Sequence, residues 1–204
     1  MVQVRSPARA EPSGGADARR REILAAASGV FRRKGFAATG MREIAAALGM
    51  TAGNLYYYFE GKEDLLAFCQ QTTLDTLLAE VERIRELDLP ASEALRRALR
   101  AHLECLNETY PGSLAHLEVE ALSPVRRAPI AAKRRRYETA LGDLLRRGVE
   151  RGELVVGDLR LATLALLGSL NWTVKWFDPG GPLSAAEVGE EFARLFLSGL
   201  ERRP

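Results

Sequence analysis

Cysteine is scarce in this chain of 204 residues: Cys69 and Cys105 are the only two. They stand far apart without a CxxC pair, which argues against a disulfide framework or a zinc site and leaves two buried thiols as the expected state. Long apolar runs are missing as well. The longest, Leu159 to Leu170, is broken by Arg160, Thr163, Gly168 and Ser169, too short and too polar to span a membrane. Arg5 and Arg9 are followed by no apolar segment, so no secretory signal is expected and the site of action is expected to be cytoplasmic. No Ser/His/Asp or Cys/His spacing, glycine-rich phosphate loop or HExxH occurs, so nothing supports an enzyme, and no cofactor or metal is expected. The alternation that marks strands is absent too, and no repeat of fixed period points to a solenoid.

What is present is an ordinary hydrophobic content of 47% and an uneven distribution of charge. Residues 1–62 carry ten Lys/Arg against five Asp/Glu, a net +5; residues 63–204 carry nineteen against twenty-two, a net −3. A basic first third on a near-neutral body suits a module that meets polyphosphate, although charge runs are also ordinary solvated faces.

Residues 1–16 hold Pro7, Pro12, Ser13, Gly14 and Gly15, which leave nothing to pack, so a disordered basic arm is expected there. Ile23, Ala27, Val30 and Phe31 then fall on one helical face, and Gly35 stands where a C-terminal cap belongs; this predicts a helix over about 17–34. Met41, Ile44, Ala45 and Leu48 repeat the pattern for two turns, and Ala52, Leu55, Tyr56 and Phe59 repeat it again. Longer amphipathic stretches follow at roughly 62–87, 91–109, 113–122, 125–151, 158–177 and 184–201. Pro90, Pro111, Gly112, Pro124, Gly152 and the run Asp178 to Pro182 separate them. The expected architecture is all-α: a three-helix head over 17–62 on a larger helical bundle over 63–204.

The two short helices around Gly49 carry the functional signal. Ala45 lets the second helix cross close, and Gly49 takes the positive φ of a tight inter-helix turn, the geometry of a helix-turn-helix. Thr51 is placed to cap the next helix. Its outward residues, Ala52, Gly53, Asn54, Tyr57 and Tyr58 with Tyr56 at the edge, are small near the start and hydrogen-bonding beyond, as a helix entering a major groove requires. Arg42 and Lys62 flank it where phosphates would lie. Three consecutive tyrosines are equally readable as core and boundary residues of a small bundle, with Tyr56 half core.

The stretch Gly35-Phe36-Ala37-Ala38-Thr39-Gly40-Met41-Arg42-Glu43-Ile44-Ala45, followed by Leu48 through Leu66 with its Leu55-Tyr56-x-x-Phe59-x-x-Lys62 pattern, resembles the DNA-binding domain of TetR-family transcriptional regulators. The resemblance covers about residues 17–66. It implies that Arg42, Thr51, Ala52, Gly53, Asn54, Tyr56, Tyr57, Tyr58 and Lys62 face double-stranded operator DNA. Gly40 and Gly61 depart from the pattern, standing where Ser, Thr or Asn usually caps a helix; glycine is a tolerable substitute.

The resemblance also implies a palindrome-binding homodimer built on the last two helices, 158–177 and 184–201. There Leu161, Leu164, Ala165, Gly168, Phe192, Leu195, Phe196 and Gly199 offer apolar surface with small residues; filling the subunit core is the competing role. The helices over 62–151 would enclose a small-molecule effector. His102, Leu106, His116, Glu120, Tyr137, Asn171, Trp172 and Trp176 are the candidate ligand contacts, each also readable as a core or packing residue. Finally, Leu170 to Ser184 is similar to the C-terminal region of TetR-type regulators of fatty-acid and steroid degradation, implying an acyl-CoA thioester as effector. Leu74, Leu77, Leu103, Leu106, Leu117 and Trp172 would line its acyl tunnel. Arg126, Arg127, Lys133, Arg134, Arg135 and Arg136 would meet its phosphates, unless they form a solvated helix face.

Overall fold

A computed structural model describes residues 14–110 and 119–200, with side chains from Ala18 onward except at position 32. The order is α1 Gly14–Lys34, α2 Met41–Ala47, α3 Ala52–Tyr58, α4 Lys62–Glu86, α5 Ala91–Glu104, α6 Pro124–Glu150, α7 Leu159–Trp176 and α8 Ala185–Leu200. Every α-helix is where the periodicity places it, apart from the end of α5 described below and shifts of up to three residues elsewhere. Among the described residues no helix is long and apolar enough to cross a membrane.

Three boundaries differ from expectation. Residues 14–16 of the expected arm belong to α1, because each residue added to an existing helix gains a hydrogen bond without a new nucleus; residues 1–13 lie outside the described residues. The helix expected over 91–109 changes to a π-helical turn at Cys105–Thr109, where the Tyr110 amide donates to the Cys105 carbonyl. Buried Asn107 explains the widening: its Nδ2 donates to the Leu103 carbonyl at 3.1 Å and to Thr173 Oγ1 of α7 at 2.9 Å. Of the helix expected over 113–122, residues 113–118 lie outside the description and Val119–Ala121 form one 3₁₀ turn.

Helices α1 to α3 wrap a small core of Ile23, Leu24, Ala27, Phe31, Ile44 and Leu55, which α4 closes with Leu65 and Leu66. Because α4 continues well beyond this core, the same rod enters the body, packing on α6. There α5 lies chiefly against α8, so closely that a Cβ on Gly189 would stand 2.7 Å from Arg100 Cα. The body core gathers Leu99, Leu103, Leu141, Leu145, Leu166, Leu170 and Leu197. At the junction, Arg126 near the start of α6 pairs with Asp64 at 2.6 Å and Glu60 at 2.8 Å, while Glu63 accepts from the Ser123 amide. Head and body are thus tied beside the end of α3.

Candidate nucleic-acid interface and effector cleft

The turn from α2 to α3 is built by backbone hydrogen bonds. Gly49, at φ +63°, donates to Ala46 O and the Met50 amide reaches back to Ala45 O, the doubly bonded ending that a left-handed residue makes possible. Thr51 Oγ1 accepts from the Asn54 amide at 3.2 Å and starts α3. No side chain caps α2 at Gly40 or α4 at Gly61. In the first turn of α4 the Asp64 carboxylate reaches back to accept from the Glu60 amide, just ahead of the helix.

Helix α3 is anchored by Leu55 alone, fully buried, with Phe59 just beyond it. Gly53, Asn54, Tyr56 and Tyr57 are exposed, Tyr57 to 85%. Tyr58, rather than Tyr56, is the half-buried edge residue: it lies about 60° from Leu55 around the helix and Tyr56 lies about 100° away. Tyr57 and Tyr58 brace each other edge to face at 5.2 Å. Arg42 and Thr51 are also exposed, and Ala52 half-buried.

Lys62 behaves differently. Its ammonium donates to the carbonyls of Phe36 at 2.7 Å and Ala37 at 3.2 Å and sits 4.4 Å above the Phe36 ring. It ties the α1–α2 turn to the start of α4, and so holds α2 in position instead of extending toward a phosphate.

In the body a cleft of about 290 Å³ opens between α4, α6 and α7, lined by Leu74, Arg134, Tyr137, Glu138, Leu164, Leu167, Gly168 and Asn171. Tyr137 and Asn171 are the expected ligand candidates that it contains. Behind them lies His102, fully buried, its Nδ1 2.9 Å from the Tyr137 hydroxyl. Burial pushes the imidazole down to about 4 and raises the Tyr137 phenol far above its ordinary range, so both groups are neutral. Asn171 favours the charged imidazole, but less than burial opposes it, and neither His102 Nε2 nor Asn171 Oδ1 meets a partner in hydrogen-bond geometry among the described residues. Both thiols are buried, and desolvation raises Cys69 and Cys105 to about 12.

The other candidates lie elsewhere. Leu74, Leu77, Leu103 and Leu106 are all buried, and of these expected tunnel residues Leu74 is the one in the lining of the cleft. Glu120 is exposed on the 3₁₀ turn, paired with Arg127 at 2.6 Å. Trp172 and Trp176 point outward from α7, 60% and 51% exposed, because they share the face of Leu161 and Leu164 rather than that of Leu166 and Leu170. His116 and Leu117 lie outside the described residues.

The basic cluster does not form one cradle. Consecutive helical residues turn by about 100°, so Lys133 to Arg136 point around the whole circumference of α6. Arg126 is spent on Asp64 and Glu60, Arg127 on Glu120, and Lys133 on Asp75. Arg135 and Arg136 line a different groove with Glu82 and Arg85. Arg134 remains for the cleft, a residue that apolar periodicity has no means of singling out.

Two family models match separate stretches of the chain. Residues 23–68 match the tetR family of bacterial regulatory proteins, and residues 88–200 match the tetracyclin repressor-like C-terminal domain. The TetR-family regulator PfmR of Thermus thermophilus is 40% identical, with 88% of this chain and 99% of that one covered at a TM-score of 0.79. The ketosteroid regulator KstR2 of Mycobacterium tuberculosis is 27% identical and superposes at a TM-score of 0.82 over 91% of this chain and 96% of its own. AibR, solved with isovaleryl coenzyme A and operator DNA, is 26% identical and superposes at 0.75 over 87% and 97%. With more than half its length inside a family-specific C-terminal domain behind a helix-turn-helix head, the chain belongs to the TetR family of DNA-binding transcriptional regulators.

Proposed function

We propose that this regulator is a ligand-responsive repressor: a homodimer that binds palindromic operator DNA through α3 and is released by a small apolar effector of the acyl-CoA thioester class. The observation that carries the reading is the exposed set Gly53, Asn54 and Tyr57 on α3, clear of the head core, together with a separate body cleft whose lining holds unpartnered polar atoms. Small residues at the start of the helix permit close approach to base edges, and hydrogen-bonding side chains follow.

Dimerisation is supported by the outer faces of α7 and α8. Leu161, Leu164, Trp172, Trp176 and Leu195 are exposed there, Leu195 to 68%, a concentration of apolar surface that a lone subunit does not maintain without use. Leu164 and Gly168 belong both to this face and to the cleft, so occupancy of one bears on the geometry of the other. A path to the head exists as well. Arg126 lies eight residues before Arg134 on α6, about 12 Å along the axis, and holds Glu60 and Asp64 beside α3. A shift of α6 on filling the cleft pulls on the reading head.

The thioester class is supported by the relatives, one named for ketosteroids and one solved with isovaleryl coenzyme A. The cleft has room for an acyl group of modest size or for a single charged head group, but not for a whole nucleotide. The proposed division is 17–62 for reading DNA and 63–204 for sensing and dimerisation. A mobility-shift assay on DNA from upstream of the chain's own coding sequence tests the reading. A shifted complex dissolved by an acyl-CoA, but not by coenzyme A, is expected; a complex indifferent to every thioester leaves a different hydrophobic metabolite or drug as effector.

A further inference from the structure

Arg134 stands out among the cations of α6. It is half-buried, and its Nε and Nη2 are covered without any hydrogen-bond partner among the described residues. Glu138, one turn further on, lines the same cleft but leaves those two nitrogens unpaired. A guanidinium in such surroundings is costly: burial pulls its pKa down to about 10, which records how poorly the site tolerates the charge. Arg126, Arg127 and Lys133 on the same helix all have carboxylates within 2.8 Å, so carboxylates are not short on this protein. Arg134 is left uncompensated where a cavity adjoins it. Leu74, Leu164 and Leu167 supply the apolar side of that cavity, with Asn171 beside them.

We infer that Arg134 is the anion-recognition residue of the cleft, and that the effector is an amphipathic organic acid: one negatively charged oxygen group against the guanidinium, with a compact apolar body on Leu74, Leu164 and Leu167. This rests on the reading of the cleft as the effector site. A guanidinium forms charge-assisted hydrogen bonds with carboxylate or phosphate oxygens, and an anion that reaches the edge facing the cavity brings the counter-charge that the unliganded protein lacks. The anionic group comes either from a free carboxylate or from the phosphates of a thioester. At about 290 Å³ the cavity admits the body of the ligand with a single head group.

The test is direct binding by calorimetry to the full-length, DNA-free protein. Branched, linear and aromatic acyl groups are each presented as free acid, methyl ester and CoA thioester, with coenzyme A alone as control. At least one anionic form binds about ten-fold or more tighter than its neutral ester, as a charge-assisted contact requires. Arg134→Met removes that preference while leaving ester binding in place, and Arg134→Lys keeps part of it. A preference for the free acid identifies a carboxylate; a preference for the thioester, with competition by coenzyme A, identifies phosphate. Without ligand, Arg134→Met raises the thermal midpoint, since an uncompensated buried charge is removed, whereas a structural arginine would lower it. Equal binding of acid and ester, absence of binding by every anionic member, an intact preference in Arg134→Met, or a lowered midpoint overturns the inference. Anion binding through Arg134 with DNA still held leaves the site standing and sinks the repressor reading; DNA release by neutral esters, indifferent to Arg134→Met, does the reverse.

Discussion

Gly168 lies mid-helix in α7, and Gly199 near the end of α8; a Cβ built on either meets nothing within 4 Å in its own subunit. Glycine costs about 1 kcal/mol relative to alanine in a helix interior, so an isolated subunit gains from replacing it. For Gly168→Ala the expected gain in subunit stability is therefore roughly 0.5–1 kcal/mol, read as a higher urea midpoint at low protein concentration. The dimer responds with the opposite sign. If α7 packs against its two-fold mate through the small residues Ala165 and Gly168, an added methyl overfills the contact. Overpacking costs about 1–3 kcal/mol at each such site, and two-fold symmetry repeats the substitution at the interface. The dimer dissociation constant should rise by about ten-fold or more in sedimentation equilibrium, with palindrome binding weakened in parallel. Gly199→Ala, placed away from the cleft, separates loss of the interface from loss of the ligand site. Dimers of undiminished affinity in both variants would refute the interface.

Further outcomes follow from the same geometry. Tyr57→Ala and Asn54→Ala should reduce discrimination between operator and unrelated DNA by about 1–3 kcal/mol, seen in competition assays, with folding stability unchanged because both side chains are exposed. Lys62→Ala should weaken binding to all sequences and also lower the melting temperature, since its ammonium holds the Phe36 and Ala37 carbonyls; a variant with normal stability and a salt slope reduced by about one would mean a phosphate contact instead. His102 is neutral when folded and depressed to about 4, so the unfolded chain takes up its proton first as pH falls. Its stabilising effect is complete above about pH 6.5 and is lost toward pH 4, at up to about 1.4 kcal/mol per pH unit. Urea unfolding between about pH 7 and pH 5 should show that slope, and His102→Phe should remove it. Gly189→Ala should destabilise by about 1–3 kcal/mol despite the better helix propensity, because the new methyl meets the backbone of Arg100; unchanged denaturation would contradict the α5–α8 packing.

The head was legible in the sequence because its rules are local. Gly49 announces the turn, Thr51 the cap, and Leu55 the buried side of α3, each within a few residues of what it controls. The body helices were legible for the same reason, from apolar spacing. Local rules give out where a side chain chooses between partners distant in sequence. Lys62 is 26 residues from the carbonyl of Phe36 that accepts its hydrogen bond, and nothing in the spacing foretells it. The basic run on α6 reads as one cluster along the chain, but the helical twist sends its members to different neighbours, leaving Arg134 alone at the cleft. Trp172 and Trp176 carry the same apolar signal as core residues, and periodicity does not distinguish a face packed inside the subunit from one left for another subunit. The π turn at Cys105 depends on Asn107 meeting Thr173 across the fold, a contact 66 residues apart.

Control of the DNA-reading head by the body cleft is open to one experiment. Fluorescence anisotropy on labelled upstream DNA at about 150 mM salt, titrated first with protein and then with acyl-CoA thioesters and free acids, tests it most directly. Saturable binding at least about 1,000-fold tighter than to scrambled DNA is expected, reversed by a matching ligand and not reversed in Arg134→Met. Binding no tighter than to scrambled DNA, or a complex that no acyl compound disturbs, would contradict it.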